Sequence, residues 1–255
     1  MARLSAHDIT KLSKTREYRW RPGLVDQPRQ SEIFAGTSDA SGVGLALALA
    51  RDALQVLKKE AEGDPLAEVQ DHRQVLWVQD VGVVRRTGRP YRHGLPPELR
   101  DRLIHVEAKT PEDALFALEE GLKCRDLAFV IGEIVGNPRA LDFTASRRLS
   151  LTAEKHGVPL WLVRLDAAPD LSSARMRWRV EAVPSMQPRW DPNAPDNPVW
   201  RAELFRSRTH APGEWMLSNE TGRLCARRSA EHKAADTPDI GDLARPTVGR
   251  SLAAL

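Results

Sequence analysis

Two short stretches hold the residue types that could do chemistry in this chain. The first is Gly36-Thr37-Ser38-Asp39-Ala40-Ser41-Gly42-Val43-Gly44, set between a short apolar run and an alanine- and leucine-rich one. Glycines in such a loop let backbone N–H groups wrap phosphate, while a lysine reaches the β/γ oxygens and a hydroxyl holds Mg2+. Gly36 and Gly42 stand at the flexible ends, with five residues between them where the working loop has four. Val43 occupies the lysine position and Gly44 the Ser/Thr position. Valine carries no charge to balance a triphosphate, glycine offers no metal ligand, and Asp39 inside the loop repels phosphate. The amino end of the helix that follows still offers a weak anion site.

The second stretch is Leu127-Ala128-Phe129-Val130-Ile131-Gly132-Glu133-Ile134-Val135. It is apolar apart from one glutamate and lacks strict alternation, as a strand buried on both faces at the centre of a parallel sheet does. Nucleotide-hydrolysing sheets end such a strand in an acidic residue that positions Mg2+. Gly132 stands at that place. Glu133 is adjacent, and alternation across the strand sends its carboxylate to the face away from the loop. The missing lysine and the missing aspartate point the same way. The expectation is a non-enzyme with no catalytic residue, no metal and no ATP/Mg2+ cofactor; nucleotide binding without hydrolysis and a weak ATPase are the alternatives left open.

Other chemistry is thin. His72, His93, His105, His156, His210 and His232 show no metal-ligand spacing, and no GxSxG is present. Two cysteines without spaced partners make no metal site, and Cys124 reads as a buried small hydrophobe. Arginine greatly outnumbers lysine, which suits bidentate or stacked contacts with phosphate or carboxylate. Arg85, Arg86, Arg89 and Arg92 surround Tyr91 in a run without acids, and Arg175, Arg177 and Arg179 share one face by period two. With Trp190 in a proline-rich basic loop, these are the candidates for contact with DNA or a partner. Trp77, Trp161, Trp178 and Trp200 read as packing residues.

These residues need elements to position them. Ser31–Ala35 reads as a strand, Thr37–Gly44 as a loop and Gly44–Glu60 as a helix, the front half of a nucleotide-binding βα unit. Gln74–Gln79 and Leu103–Glu107 read as strands on either side of a long loop, Asp80–Pro97. Thr110 is an N-cap with Pro111 at the first helical position, and Leu115, Leu118 and Leu122 share a face. A helix ending at Gly157, a glycine suited to a left-handed cap, leads to the strand Val158–Arg164. Strand and helix alternate over 31–165, which argues a mostly parallel sheet covered on both faces. Met176–Pro184, Trp200–Arg206 and Glu214–Ser218 alternate polar and apolar residues, as antiparallel strands do. The organisation expected is a basic N-terminal arm or helix at 1–30, an α/β core at 31–165, a strand extension at 166–221 and a disordered tail at 222–255.

Composition sets bounds. The chain has 255 residues, 41% hydrophobic, with a formal net charge of +3. Its isoelectric point near 9.0 suits nucleic acid without requiring it. Basic residues outnumber acidic ones seven to three in residues 1–30. No apolar run reaches the roughly 20 residues of a membrane helix, and the first residues hold no apolar leader, so a cytoplasmic protein is expected.

The order of elements resembles that of RecA-type recombinases. SEIFAGTSDASGVGLALALA resembles their strand, phosphate loop and helix with the key residues removed, and DLAFVIGEI resembles their acidic strand. LIHVEAKTPEDALFALEEGL resembles the elements before that strand, and RRLSLTAEKHGVPLWLVR those after it, with Arg164 near the position of a γ-phosphate sensor. Within this superfamily ARMRWRVEAVPS and WRAELFRSRTHAPGEWMLSNE make the chain most similar to the ImuA family, RecA-like accessory factors of bacterial SOS-induced mutagenic translesion synthesis. The resemblance covers about residues 30–220 and implies a RecA-like, P-loop-type three-layer core with a degenerate nucleotide site, plus C-terminal antiparallel strands. It also implies partners: RecA, an ImuB-like Y-family polymerase homologue, an error-prone replicative-type DNA polymerase, DNA as a candidate, and RecA-like self-association. The implied role is an adaptor bridging RecA and the polymerase homologue at the nucleoid.

Overall fold

A computed structural model describes residue 22 and residues 29–62, 71–185, 197–220 and 223–228. The N-terminal arm apart from Pro22, Arg29 and Gln30, together with Trp190 and the tail beyond Arg228, lies outside the described residues. β1 (Gln30–Ala35) leads through a five-residue loop to α1 (Ser41–Glu62), and β2 (Gln74–Asp80) to the short α2 (Val81–Thr87). A 3-10 turn at Arg92–Gly94 and the one-turn α3 (Pro97–Arg100) precede β3 (Leu103–Ala108). Then come α4 (Pro111–Lys123), β4 (Leu127–Val135), α5 (Phe143–His156) and β5 (Leu160–Leu165). Four strands follow: β6 (Met176–Val183), β7 (Val199–Ser207), β8 (Gly213–Glu220) and β9 (Arg223–Arg228).

Among the described residues all nine strands form one sheet, in the order β3-β2-β4-β5-β1-β6-β7-β8-β9. From β3 to β6 every pairing is parallel, and from β6 to β9 every pairing is antiparallel. β4 is central to the parallel half, as its unbroken burial requires, while β1 is the middle strand of the whole sheet. The strands after residue 165 are therefore continuous with the core, because β6 is hydrogen-bonded to β1.

Two apolar cores cover the sheet. On one face α1, α2 and Leu95 and Leu99 pack with Ile33, Trp77, Ile131, Trp161, Trp178, Trp200 and Trp215. On the other, α4 and α5 pack on Val78, Val130, Ile134 and Leu162. Thr110 caps α4 by accepting the Asp113 N–H at 3.1 Å, and Gly157 ends α5 at φ 74°. No helix among the described residues is long and apolar enough to cross a membrane.

Four sequence expectations change. α1 begins at Ser41, not Gly44, since the Gly44 N–H already donates to the Ala40 carbonyl at 2.8 Å. The supposed loop over 80–97 contains α2, one of whose orphan donors is met by Asp80; its carboxylate accepts the Val83 N–H at 2.8 Å. Residues 223–228 of the expected tail form β9, where the Leu224 N–H donates to Asp52 of α1 at 3.2 Å. Cys124 is exposed, at the end of α4.

Candidate functional site

The loop between β1 and α1 is built to receive the chain's own carboxylates. Asp39 accepts the Ser41 N–H at 2.7 Å, at the positive end of α1, and its second oxygen faces the Ala182 N–H of β6 at 3.5 Å. Burial pushes the Asp39 carboxyl up, but the hydrogen bonds from Ser41 and Ala182 outweigh it and hold the group below its ordinary range. Asp166, which follows β5 with φ 50°, accepts both the Thr37 N–H at 3.0 Å and the Thr37 hydroxyl at 2.8 Å. The Thr37 bonds, with the nearby Arg86, keep its carboxyl low as well. Donors that would face a phosphate thus face aspartates of the chain.

The glycines serve packing. A Cβ on Gly42 would lie 2.7 Å from Val163 and 2.9 Å from Ala35, so this residue lets α1 approach β1 and β5. A Cβ on Gly44 would lie 3.0 Å from the Trp200 ring. Gly36 has more space, its nearest neighbour being the Ser38 hydroxyl at 3.3 Å. Val43 sits in the first turn of α1, half-buried against the core.

Beside this loop lies a cleft of about 700 Å3 at the carboxyl ends of β1 and β6. Five carboxylates line it: Asp39, Asp166, Glu181, Glu203 and Glu214. Its two arginines are already paired, Arg179 with Glu203 and Arg201 with Glu181. An entering triphosphate would meet net negative charge and the occupied end of α1. The residues present do not fit it.

Gly132 and Glu133 take opposite faces as alternation demands, but the faces are the reverse of the sequence expectation. A Cβ on Gly132 would meet Leu118 of α4 at 2.8 Å, whereas Glu133 points to the side of α1 and α2. Alternation fixes relative facing only; absolute facing comes from which helices cover which side. Glu133 is 3% exposed, and one of its oxygens accepts the Trp77 indole N–H at 2.6 Å and the Gln79 amide at 2.9 Å. Gln79 in turn bonds His105 of β3 at 2.9 Å. Burial, reinforced by the nearby Asp80 charge, pushes Glu133 up to about 6 against the lowering effect of Trp77 and Gln79. Burial and Arg89 push His105 down.

The arginines separate into structural and accessible groups. Arg177 is 3% exposed and donates to Glu32, itself wholly buried, at 2.8 Å. It lies over the rings of Phe34 and Phe205 at 5.0 and 5.4 Å. Arg164 is equally buried; it faces away from the loop, donating to the Gly136 carbonyl at 3.1 Å and lying over Phe34. Neither can contact DNA or sense a phosphate at the loop. Arg175 is tied to Glu154 of α5, and Arg179 is exposed but paired. Arg177 and Arg179 do share a face, since both guanidinium groups lie over Phe205.

Arg85, Arg86, Arg89, Tyr91 and Arg92 are all exposed along α2 and the turn after it. Arg86 pairs with Asp166 at 3.3 Å and Arg89 with Glu107 at 2.8 Å. The sequence reading missed Trp77, Gln79 and His105 as partners of Glu133, and the Glu32–Arg177 pair. One signal was present: Arg164 is a charge inside the strongly apolar strand LWLVRL, which burial permits only with a partner.

Among the described residues no group of three or more His, Cys, Asp or Glu could hold a metal ion. No protein-family model matches the chain. Over 131 residues it is 36% identical to Protein ImuA of Caulobacter vibrioides (strain NA1000 / CB15N), and to the same degree to Protein ImuA of strain ATCC 19089 / CIP 103742 / CB 15. The match covers 46% of this chain and 50% of each relative, so the chain spans about half the length of the curated relatives it matches. Over that span the chain is similar to these ImuA proteins.

Proposed function

We propose that the chain is a non-catalytic accessory protein of SOS-induced error-prone translesion DNA synthesis, built on a RecA-like core with a degenerate nucleotide site. The observation that carries the non-catalytic part is Asp39 on the Ser41 N–H, because a carboxylate already occupies the end of α1 that a phosphate would need. Val43 supplies no replacement charge, and Glu133 is engaged with Trp77 and Gln79. The similarity to Protein ImuA supports the pathway. In this reading the chain acts in the cytoplasm at the nucleoid, bridging RecA and an ImuB-like Y-family polymerase homologue beside an error-prone replicative-type polymerase.

Two measurements test it. Purified protein with ATP and Mg2+, with and without DNA, should show no phosphate release, and Val43→Lys alone should not create any. Capture from DNA-damaged cells should recover the polymerase homologue and RecA. Turnover by the unmodified protein above a Val43→Asp control would overturn the non-catalytic reading, and capture without either partner would overturn the bridging role.

A further inference from the structure

Tyr91 is the most exposed large hydrophobic side chain among the described residues, at 73%. It is nevertheless held. Its ring lies over Gly94, where a Cβ would sit 3.1 Å from the ring, and the His93 ring stands 5.7 Å away at 57°. Gly88 at φ 81° makes the turn that carries the chain from α2 to this ring, a conformation that favours glycine. An aromatic ring fixed from behind and open in front is arranged to receive a flat apolar partner.

The charges around it have the matching sign. Residues 85–93 contain four arginines and no acid. Carboxylates offset two of them, Arg86 through Asp166 and Arg89 through Glu107. Arg92 donates to the Leu103 carbonyl at 3.2 Å, which places its guanidinium without neutralising it. Arg85 lies exposed in the last turn of α2.

We propose that residues 85–93 form a contact surface for single-stranded nucleic acid, with Tyr91 stacking an unpaired base and Arg85 and Arg92 meeting its phosphates. A single strand fits better than a duplex, whose base faces are already stacked and closed to Tyr91. An acidic protein would use the arginines but has no need of the open ring. The inference stands apart from the accessory role, since neither requires the other.

The test is fluorescence anisotropy of the full chain with a labelled 20-nucleotide oligothymidylate, a duplex of the same length and labelled polyglutamate. Two phosphate contacts give a slope of about −1.4 in log affinity against log salt, or about sevenfold weaker binding from 50 to 200 mM. Tyr91→Ala should weaken single-strand binding about tenfold and Tyr91→Phe should leave it unchanged. Arg85→Ala should flatten the salt slope. Unchanged thermal unfolding of these surface variants separates lost contact from lost fold. No binding at 50 mM salt, indifference to Tyr91→Ala, or equal affinity for the duplex or for polyglutamate would each overturn the proposal; the last would mark a face for acidic proteins.

Discussion

The Trp77 indole N–H donates to the Glu133 carboxylate at 2.6 Å across the paired strands β2 and β4. This bond, with that from Gln79, holds an acidic group inside the sheet face where no opposite charge reaches it. With its pKa near 6, against an ordinary 4.5, Glu133 favours the folded state most when protonated. Its stabilising contribution is full below about pH 4.5 and is lost as pH rises through 6, a swing of about 2 kcal/mol. Glu133→Gln should remove that slope and stabilise the protein at neutral pH, as urea unfolding at pH 5 and pH 7.5 would show. An unchanged slope would mean that Glu133 titrates normally.

Gly42 offers a second test. A methyl group there must displace Val163 or Ala35, so Gly42→Ala should destabilise the fold by about 1–3 kcal/mol. Gly36→Ala, with its nearest neighbour a small side chain, should cost less. Thermal melts would order the two. The reverse order would restore Gly42 to the role of a loop glycine.

Arg177 and Arg179 share one sheet face but not one environment. Arg177→Met leaves Glu32 buried beside Arg164 alone and should cost about 3–5 kcal/mol. Arg179→Met breaks an exposed pair with Glu203 and should cost under about 1 kcal/mol. Guanidinium midpoints would separate them, and similar losses for both would contradict the burial of Arg177.

Deleting residues 166–255 is expected to destroy the core. β6 pairs with β1 over Ser31–Phe34, and Trp178, Trp200 and Trp215 pack on the face covered by α1. A truncated chain should lose cooperative unfolding. Partner mapping by that truncation would then report misfolding, and surface substitutions such as Arg201→Ala suit the purpose better.

Local signals were legible where local chemistry decides. Thr110-Pro111 started α4 and Gly157 ended α5 because caps are made within a few residues. The parallel half was legible from buried runs separated by helical periods. α2 was not, since VGVVRRT is a poor helix former and its start depends on Asp80, whose other oxygen accepts the Val135 N–H from β4 at 3.1 Å. The closure of the loop was partly legible. Asp39 was visible as a repelling charge and its bond to the Ser41 N–H is local, but its contact with Ala182 and the contribution of Asp166 depend on strands far along the chain. The same holds for Glu32, whose partners come from β5, β6 and the segment between them.

The parallel pairing of β1 with β5 and β6 also fixes a timetable. Both neighbours of β1 are far downstream, with 145 positions separating Glu32 from Arg177. At ribosomal rates of about 5–20 residues per second, β1 emerges roughly 7–30 s before its second neighbour exists. Until β5 is made both its edges are bare, and throughout the interval Glu32 is without Arg177. A nascent chain of this protein therefore requires shielding of its first strand until most of the sheet has been made.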